Sequence, residues 1–432
     1  MSRISREKSV CPSHACRRLL KLLSLVATIC MTSDWTVAAE NWPQFRGPGA
    51  NGQTDSSNLP TTWSEETGVK WKTPLHDKGW SSPVIWGDQI WLTSATVDGK
   101  AMFALCLDKT TGKILHDIKL FENEDPKKTA GFNSFASPTP VIEEGRVYIT
   151  FGSYGTACLD TKTAKILWQR RDLAWDHWRG PGSSPILFGN LFILHYDGFD
   201  LQYVVALNKQ NGETVWKTER KVDYGTKDGD VMKAFCTPLI IEVSGKKQLI
   251  SPTSKAALAY DPLTGEEIWR IRFASFSATG MPLFDGKRVY INTGFGKADL
   301  SAVRPDGTGD VTSSHVDWTQ TKSIGSKTSQ LLVNGLIFNV HDEGIANCLD
   351  AETGKEHWAK RLKGKFTSSP LFGDGKVYFF NSDEGTCTVV KASPEYEELA
   401  LNKLSAGCMA SPAVSGNALF VRTNEALYRI EK

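Results

Sequence analysis

The apolar residues of this chain recur in short runs in which apolar and polar or turn residues alternate. Val147–Thr150 and Val377–Phe380 are two of these runs. Runs of this kind, rich in β-branched and aromatic residues and bounded by turn residues, are typical of β-strands. The pattern therefore predicts an all-β protein.

The strands belong to a unit that repeats along the chain. In its clearest form, a strand ends at an Asp-x-x-Thr-Gly segment and the next strand closes on Trp. The Asp side chain caps backbone amides and the Gly takes a positive φ, so the segment predicts a tight turn between antiparallel strands. Five copies are recognisable: Ala104–His116, Ala157–Trp168, Ala206–Trp216, Ala259–Trp269 and Ala346–Trp358.

The closing Trp recurs at intervals of about 40 to 50 residues, the period of propeller blades. Its ring can pack against the next blade while its indole N–H reaches a carbonyl oxygen. Three copies are altered: His116 replaces Trp, Ala164 replaces the turn Gly, and residues 393–398 replace a whole turn. Eight positions result: Trp71, His116, Trp168, Trp216, Trp269, Trp318, Trp358 and one near Leu399. We predict an eight-bladed β-propeller of four-stranded antiparallel blades, with seven blades as the alternative.

The first Trp precedes any complete blade, and the chain ends after three strands of the last one. We expect the strand around Val69–Thr73 to complete the last blade, which closes the ring and leaves only short sheet edges. The predicted division is a signal peptide over 1–39, an N-terminal arm over 40–68 and the propeller over 69–432.

A Ser-Pro or Thr-Pro pair precedes the first strand of most repeats. The pairs are Ser82-Pro83, Ser137-Pro138, Ser184-Pro185, Thr237-Pro238, Ser369-Pro370 and Ser411-Pro412.

The first 39 residues have the order of a secretory signal peptide. Basic residues precede the apolar run Leu22–Met31, and the small-residue site Val37–Ala39 follows it. The apolar run is too short to cross a bilayer. We expect cleavage near Ala39, no membrane span, and a mature chain in the periplasm or outside the cell. Arg17-Arg18 partly matches a twin-arginine signal, so the choice between Sec and twin-arginine export stays open.

The predicted mature chain is close to neutral. The whole chain has 50 basic and 48 acidic residues, and removing six basic and two acidic residues leaves 44 and 46, a formal charge of −2. That balance argues against nucleic acid as a partner. Cys106, Cys158 and Cys348 occupy one equivalent position in three blades, too far apart for disulfides. We expect all six mature cysteines to be free.

The repeats, together with Asn41–Pro48 and Gly79–Pro83, resemble the exported bacterial branch of the PQQ-binding-like β-propeller family, where PQQ is pyrroloquinoline quinone. The resemblance covers essentially the whole predicted mature chain. It implies one of two functions. Some members are dehydrogenases that oxidise alcohols or sugars with PQQ and Ca²⁺, whereas others, such as BamB, are non-catalytic scaffolds that bind polypeptides.

The dehydrogenases of that family carry two adjacent, bridged cysteines against the quinone. This chain has no adjacent cysteines and no Cys-x-x-Cys-His haem motif. We therefore expect a non-catalytic, monomeric scaffold that binds an envelope protein or a small-molecule ligand and needs no cofactor. The alternative is a PQQ- and Ca²⁺-dependent alcohol or sugar dehydrogenase.

Three segments concentrate aromatic and charged residues: Trp175–Gly182, Tyr196–Asp200 and Asp228–Phe235. The loops between blades gather at one end of a propeller, so we expect these segments to form a ligand-binding mouth. Arg179 and Lys233 are the candidates for contacting a carboxylate. The alternative is that these residues only shape turns. The predicted site residues are Trp175, His177, Trp178, Arg179, Asp197, Asp200 and Lys233.

Overall fold

The computed structural model describes residues 41–432, so the predicted signal peptide and its cleavage site lie outside the described residues. Eight sheets follow one another around a ring, and each contains four antiparallel strands; they are hydrogen-bonded in chain order, except that the N-terminal strand pairs with the last strand of the chain. The prediction of an eight-bladed β-propeller is confirmed, and the alternative of seven blades is excluded.

The strands are short, and the blades follow one another along the chain, with the N-terminal strand belonging to the last blade. The N-terminal strand is β1 (Val69–Pro74). Blades one to four contain β2 (Val84–Trp86), β3 (Gln89–Ala95), β4 (Ala101–Asp108), β5 (Ile114–Glu122); β6 (Val141–Glu143), β7 (Arg146–Thr150), β8 (Thr156–Asp160), β9 (Ile166–Arg170); β10 (Ile186–Phe188), β11 (Leu191–Asp197), β12 (Gln202–Asn208), β13 (Thr214–Glu219); β14 (Leu239–Val243), β15 (Lys246–Pro252), β16 (Ala256–Tyr260), β17 (Glu267–Arg272).

The second half of the ring repeats this arrangement. Blades five to eight contain β18 (Leu283–Phe284), β19 (Val289–Asn292), β20 (Leu300–Val303), β22 (Val316–Gln320); β23 (Leu331–Val333), β24 (Leu336–Val340), β25 (Ile345–Asp350), β26 (Glu356–Arg361); β27 (Leu371–Gly373), β28 (Lys376–Phe380), β29 (Thr386–Lys391), β30 (Glu398–Lys403); β31 (Ala413–Ser415), β32 (Ala418–Arg422), β33 (Ala426–Ile430) and β1. A two-residue strand, β21 (Gly309–Asp310), extends from the fifth blade and pairs in parallel with β17.

Two short helical segments lie in the connections. A 3₁₀ turn covers Gly152–Tyr154, and α1 covers Gly229–Met232 between the third and fourth blades. Within the described residues, no helix is long and apolar enough to cross a membrane.

The ring closes between the two ends of the described chain. Strand β1 pairs antiparallel with β33, with Trp71 opposite Arg429 and Pro74 opposite Ala426. The prediction that the N-terminal strand completes the last blade is confirmed. The first strands of neighbouring blades touch, since β2 contacts both β6 and β31. These first strands therefore surround the central channel.

The apolar core lies between blades and not on the axis of the ring. Val84 and Trp91 of the first blade, for example, pack against Val147 and Ile149 of the second. Similar clusters fill the other junctions. The six cysteines of the described chain are free and buried within this core.

Three of the recurring Trp residues donate hydrogen bonds to the neighbouring blade. The indole Nε1 of Trp168 donates to Lys209 O at 3.0 Å, that of Trp216 to Pro262 O at 3.1 Å, and that of Trp318 to Ala351 O at 3.2 Å. Each acceptor lies in the Asp-x-x-Thr-Gly turn, or its equivalent, of the next blade. The predicted packing of Trp against the next blade is confirmed.

Candidate functional site

A ring of hydroxyl groups surrounds the central channel, two residues before the first strand of every blade but the fifth. Each of these hydroxyls accepts a hydrogen bond from the backbone N–H of the residue in the corresponding position of the previous blade, at 2.9–3.1 Å. We call this set the hydroxyl collar. Its members are Ser82, Thr139, Ser184, Thr237, Ser329, Ser369 and Ser411.

The collar differs from the sequence pattern in three blades. In the second blade the collar residue is Thr139, whereas Ser137 donates to Asn133 Oδ1 at 2.6 Å. In the fifth blade Met281 occupies the position, and Met281 has no hydroxyl to offer. In the sixth blade Ser329 is followed by Gln330 and not by Pro, so the Ser-Pro or Thr-Pro pattern did not identify Ser329.

The N-terminal arm occupies the channel beyond the collar. Trp42 bridges to Ile85 in β2, Pro43 O accepts from the N–H of Ile142 in β6, and the N–H of Thr54 donates to Phe372 O in β27. All three contacts lie further along the first strands than the collar does, and Phe45 of the arm lines the channel. The arm therefore fills one end of the channel, and the opposite end carries the loops between blades.

At that opposite end, a pocket opens between the loops that enter the second to sixth blades. Four phenylalanines line it, namely Phe132, Phe235, Phe276 and Phe295. Its charged residues are Arg179, Asp230, Lys233 and Lys327. We call it the mouth pocket. Phe132, Phe235 and Lys327 also line the channel, so the mouth pocket is continuous with it.

The Asp230 carboxylate forms ion pairs with two of the cations, Arg179 and Lys233. Asp228 caps α1 by accepting the N–H of Asp230, and this helix presents Asp230 to the pocket. Asp230 receives Nε and Nη2 of Arg179, both at 2.9 Å, and lies 2.8 Å from the Nζ of Lys233. The lining has three cations and one carboxylate, and Asp342 pairs with Lys327 at 3.6 Å from outside the lining, so one net positive charge remains.

The three cations differ in the donors they have left. The Nζ of Lys233 uses its three protons on Asp230 O, Asp230 Oδ1 and Ser277 Oγ. Burial lowers the pKa of Lys233. Arg179 keeps three of its five N–H donors without a partner among the described residues. The closest carboxylate oxygen to Lys327 Nζ, on Asp342, is 3.6 Å away, beyond hydrogen-bond distance. Arg179 and Lys327 are therefore the cations able to receive an anion.

Some of the predicted site residues lie around this pocket. Trp178 is 41% exposed, and the guanidinium carbon of Arg179 lies 4.0 Å from the centre of its ring. His177 is only 6% exposed and packs behind Phe235, at 4.9 Å between ring centres, and against Trp175, at 4.4 Å. Both ring nitrogens of His177 lack a hydrogen-bond partner in the described chain. Trp175 thus supports His177 and does not line the mouth pocket.

Two predicted site residues lie elsewhere. The side chain of Asp197 is fully buried and pairs with Arg220, with Oδ1 at 2.5 Å from Nε and Oδ2 at 2.8 Å from Nη2. Asp200 accepts the backbone N–H groups of Asp176, at 2.6 Å, and Leu201, at 2.8 Å, so it shapes a loop. The expected convergence of these carboxylates with Arg179 and Lys233 is not observed.

Among the described residues, the side chains that most often hold metal ions are not clustered. No group of three or more His, Cys, Asp or Glu side chains in residues 41–432 is placed to hold a metal ion. The mouth pocket contains a single carboxylate, which two cations already neutralise. A cationic lining of this kind fits an anion and does not fit Ca²⁺.

The fold and the pocket define an eight-bladed β-propeller with a cationic, phenylalanine-lined mouth. A family model described as "Outer membrane protein assembly factor BamB" matches residues 61–241, 200–329 and 296–395. These matches cover most of the chain, so the protein belongs to this BamB-like family of PQQ-type propeller repeats.

The most informative relatives fall on both sides of the family. A quinoprotein ethanol dehydrogenase of Pseudomonas putida is 31% identical over 141 residues, which is 30% of this chain but only 22% of that enzyme. The structure of BamB from Moraxella catarrhalis superimposes with a TM-score of 0.59 at 13% identity, covering 84% of this chain and 99% of BamB. A europium-containing methanol dehydrogenase superimposes with a TM-score of 0.68 at 11% identity, covering 90% of both chains. At these identities the two structures show the shared fold alone.

Proposed function

We propose that this protein is an exported, non-catalytic β-propeller that binds an acidic segment of an envelope protein at its mouth pocket. The observation that carries the proposal is the pairing of free cationic donors on Arg179 and Lys327 with four phenylalanines in one pocket. A planar guanidinium and a flexible ammonium suit carboxylates, and the rings suit apolar side chains beside them.

The exposed rings around the pocket support a protein partner. Phe132 and Phe295 are 63% and 58% exposed, and Trp178 is 41% exposed. Aromatic residues and Arg are the residues that most often contribute binding energy in protein interfaces. The BamB-like family supports the same proposal, because its name refers to assembly of outer membrane proteins.

Lys233 has a different role in this proposal from the one the sequence suggested. Its ammonium protons are used by Asp230 and Ser277, so it holds Asp230 in place and does not reach for the ligand. Asp230 in turn fixes the guanidinium plane of Arg179. The anion is received by Arg179 and Lys327.

The proposal is tested by quantitative capture of partners from an envelope extract. The double variant Arg179→Ala/Lys327→Ala should lose about 1 to 3 kcal/mol of binding free energy to its partner, because charge-assisted hydrogen bonds are removed. Its melting temperature should stay close to that of the wild type, since both residues are partly exposed.

A matched control is Lys247→Ala/Lys391→Ala, which removes the same charge from two exposed side chains on the opposite end of the propeller. It should capture what the wild type captures. Identical partner sets for all three proteins would contradict the proposal.

Protein exported for this experiment should begin near Glu40, as N-terminal sequencing would show.

One observation favours a second candidate function, a PQQ-dependent dehydrogenase. It is the 31% identity to the quinoprotein ethanol dehydrogenase over 141 residues. The cationic mouth pocket and the single carboxylate in it argue against a bound Ca²⁺. We therefore rank this function second.

A further inference from the structure

The hydroxyl collar has hydrogen-bond donors that the described residues leave unused. Every collar hydroxyl is at least nine-tenths buried and accepts one backbone N–H. A hydroxyl also carries one proton to donate. None of the seven collar hydroxyls donates to an acceptor in residues 41–432, so seven O–H groups face the channel.

One further donor joins them where the collar is interrupted. Because Met281 has no hydroxyl, the backbone N–H of Thr237 lacks the acceptor that its equivalents find in the other blades. No other partner for this N–H exists in the described structure. Thr237 lies two residues from Phe235, at the side of the channel that opens into the mouth pocket.

The charges along the channel favour an acceptor of negative charge. Among residues 41–432, no carboxylate lines the channel, and the one ionised side chain in its lining is Lys327, which lies 3.6 Å from Asp342. Buried donors without acceptors are costly, so the collar requires a ligand or ordered water to accept its protons. Hydroxyl and amide donors pointing at one place form a favourable environment for an oxyanion.

We propose that the hydroxyl collar binds the oxyanionic group of a small ligand, a carboxylate, sulfate or phosphate carried by a molecule narrow enough to enter the channel. The site lies deeper than the mouth pocket and uses other residues, apart from Lys327. Phe45 of the N-terminal arm limits how far the ligand can travel. This binding does not depend on the protein partner proposed above.

The first experiment uses selenate, an anomalously scattering analogue of sulfate, on the purified protein. Crystals soaked in sodium selenate should show an anomalous peak within hydrogen-bond distance of several collar hydroxyls. Calorimetry with selenate, against sodium chloride at equal ionic strength, should give a saturable signal. A channel that holds only water, with no saturable signal, would overturn the proposal, and so would a peak confined to the mouth pocket.

Variants then distinguish selenate binding at the hydroxyl collar from selenate binding at the mouth pocket. Met281→Ser adds the missing hydroxyl but also an acceptor for Thr237 N–H, so it exchanges one donor for another and should bind selenate within about twofold of the wild type. Thr139→Val keeps the shape of the side chain and should bind it about 3- to 10-fold more weakly. Arg179→Ala alters only the mouth pocket and should leave the selenate affinity within about twofold of that of the wild type.

The sources of the oxyanion are distinguished by competing selenate with inorganic phosphate, acetate and 3-phenylpropionate. Displacement by phosphate alone identifies a free inorganic anion, and displacement by the carboxylates identifies an organic acid. If Thr139→Val binds selenate as tightly as the wild type does, the collar is not the site. Weaker partner capture by Arg179→Ala, with selenate still bound in the collar, would show that the two sites are separate.

Discussion

At the scale of single residues, His177 combines deep burial with an ionisable ring. It is enclosed by Trp175, Phe199 and Phe235. Burial, and after it the positive charge of Lys233, lowers the pKa of His177 to about 3. The folded protein therefore holds this imidazole neutral, whereas the unfolded chain protonates it below its ordinary pKa of about 6.5.

This difference predicts a pH dependence of stability. As the pH falls below about 6.5, the unfolded chain binds a proton that the folded protein does not, so the free energy of unfolding should fall by up to about 1.4 kcal/mol per pH unit until the folded pKa is reached. The variant His177→Phe should lose less stability between pH 6.5 and 4.5 than the wild type. Urea unfolding at several pH values measures this.

The control is the exposed His357, replaced by Gln. Its stability should follow the pH dependence of the wild type in parallel. Burial also lowers the pKa of His195, so both residues contribute to the pH dependence of the wild-type free energy of unfolding. The difference between the curves of the wild type and His177→Phe isolates the contribution of His177. A His177→Phe curve parallel to the wild type would contradict the buried, neutral state of this ring.

The residues of the mouth pocket were only partly predictable. Arg179 and Lys233 stood out because aromatic and charged residues cluster around them in sequence. Lys327 lies in the loop between the fifth and sixth blades, and only the closure of the ring brings it to Arg179. Asp197 was misplaced because its partner Arg220 follows the last strand of the same blade, and nothing in the sequence marks that pair.

At the scale of elements, the contact between a Trp and the turn of the next blade is the repeated unit of stability. A Cβ on Gly354 would lie 2.7 Å from ring atoms of Trp318, and Gly212 and Gly265 show the same approach to Trp168 and Trp216. Gly is required there for its positive φ and for the space its missing side chain leaves to the indole.

Gly354→Ala tests this contact against a matched control. Gly354 has a φ of +70° and the Trp318 ring above it, whereas Gly375 has a φ of +72° and nothing within 4 Å. Gly375→Ala should lose about 1 to 2 kcal/mol of stability from the left-handed backbone alone. Gly354→Ala should lose about 1 to 3 kcal/mol more, because the methyl group must displace the indole. Equal losses in urea unfolding would show that the close packing has no energetic consequence.

The same contact explains two of the altered repeats. His116 and Ala164 looked like separate departures from the pattern. By the register of the other blades, the turn that contains Ala164 lies against the outer strand that carries His116. Ala164 keeps a positive φ of 57°. A smaller ring at His116 leaves room for the Ala methyl, so a single altered contact accounts for both.

At the scale of the whole molecule, the repeat made the fold predictable, whereas the path of the N-terminal arm could not be predicted. Period, turn and Trp recur, so the blade count and the closure by Val69–Pro74 could be predicted from the sequence. The N-terminal arm has no repeat to reveal its path. Its contacts with Ile142 and Phe372 depend on the ring being closed, and so does the channel that it fills at one end.

The central claim is that this propeller binds an anionic partner and catalyses no oxidation. The most direct test supplies purified protein with PQQ and Ca²⁺ and follows dye reduction with a panel of alcohols and sugars. We expect no substrate-dependent turnover, because the single carboxylate of the mouth pocket is neutralised by Arg179 and Lys233. Saturable binding of PQQ with turnover that a Ca²⁺ chelator abolishes would contradict this claim and establish a dehydrogenase.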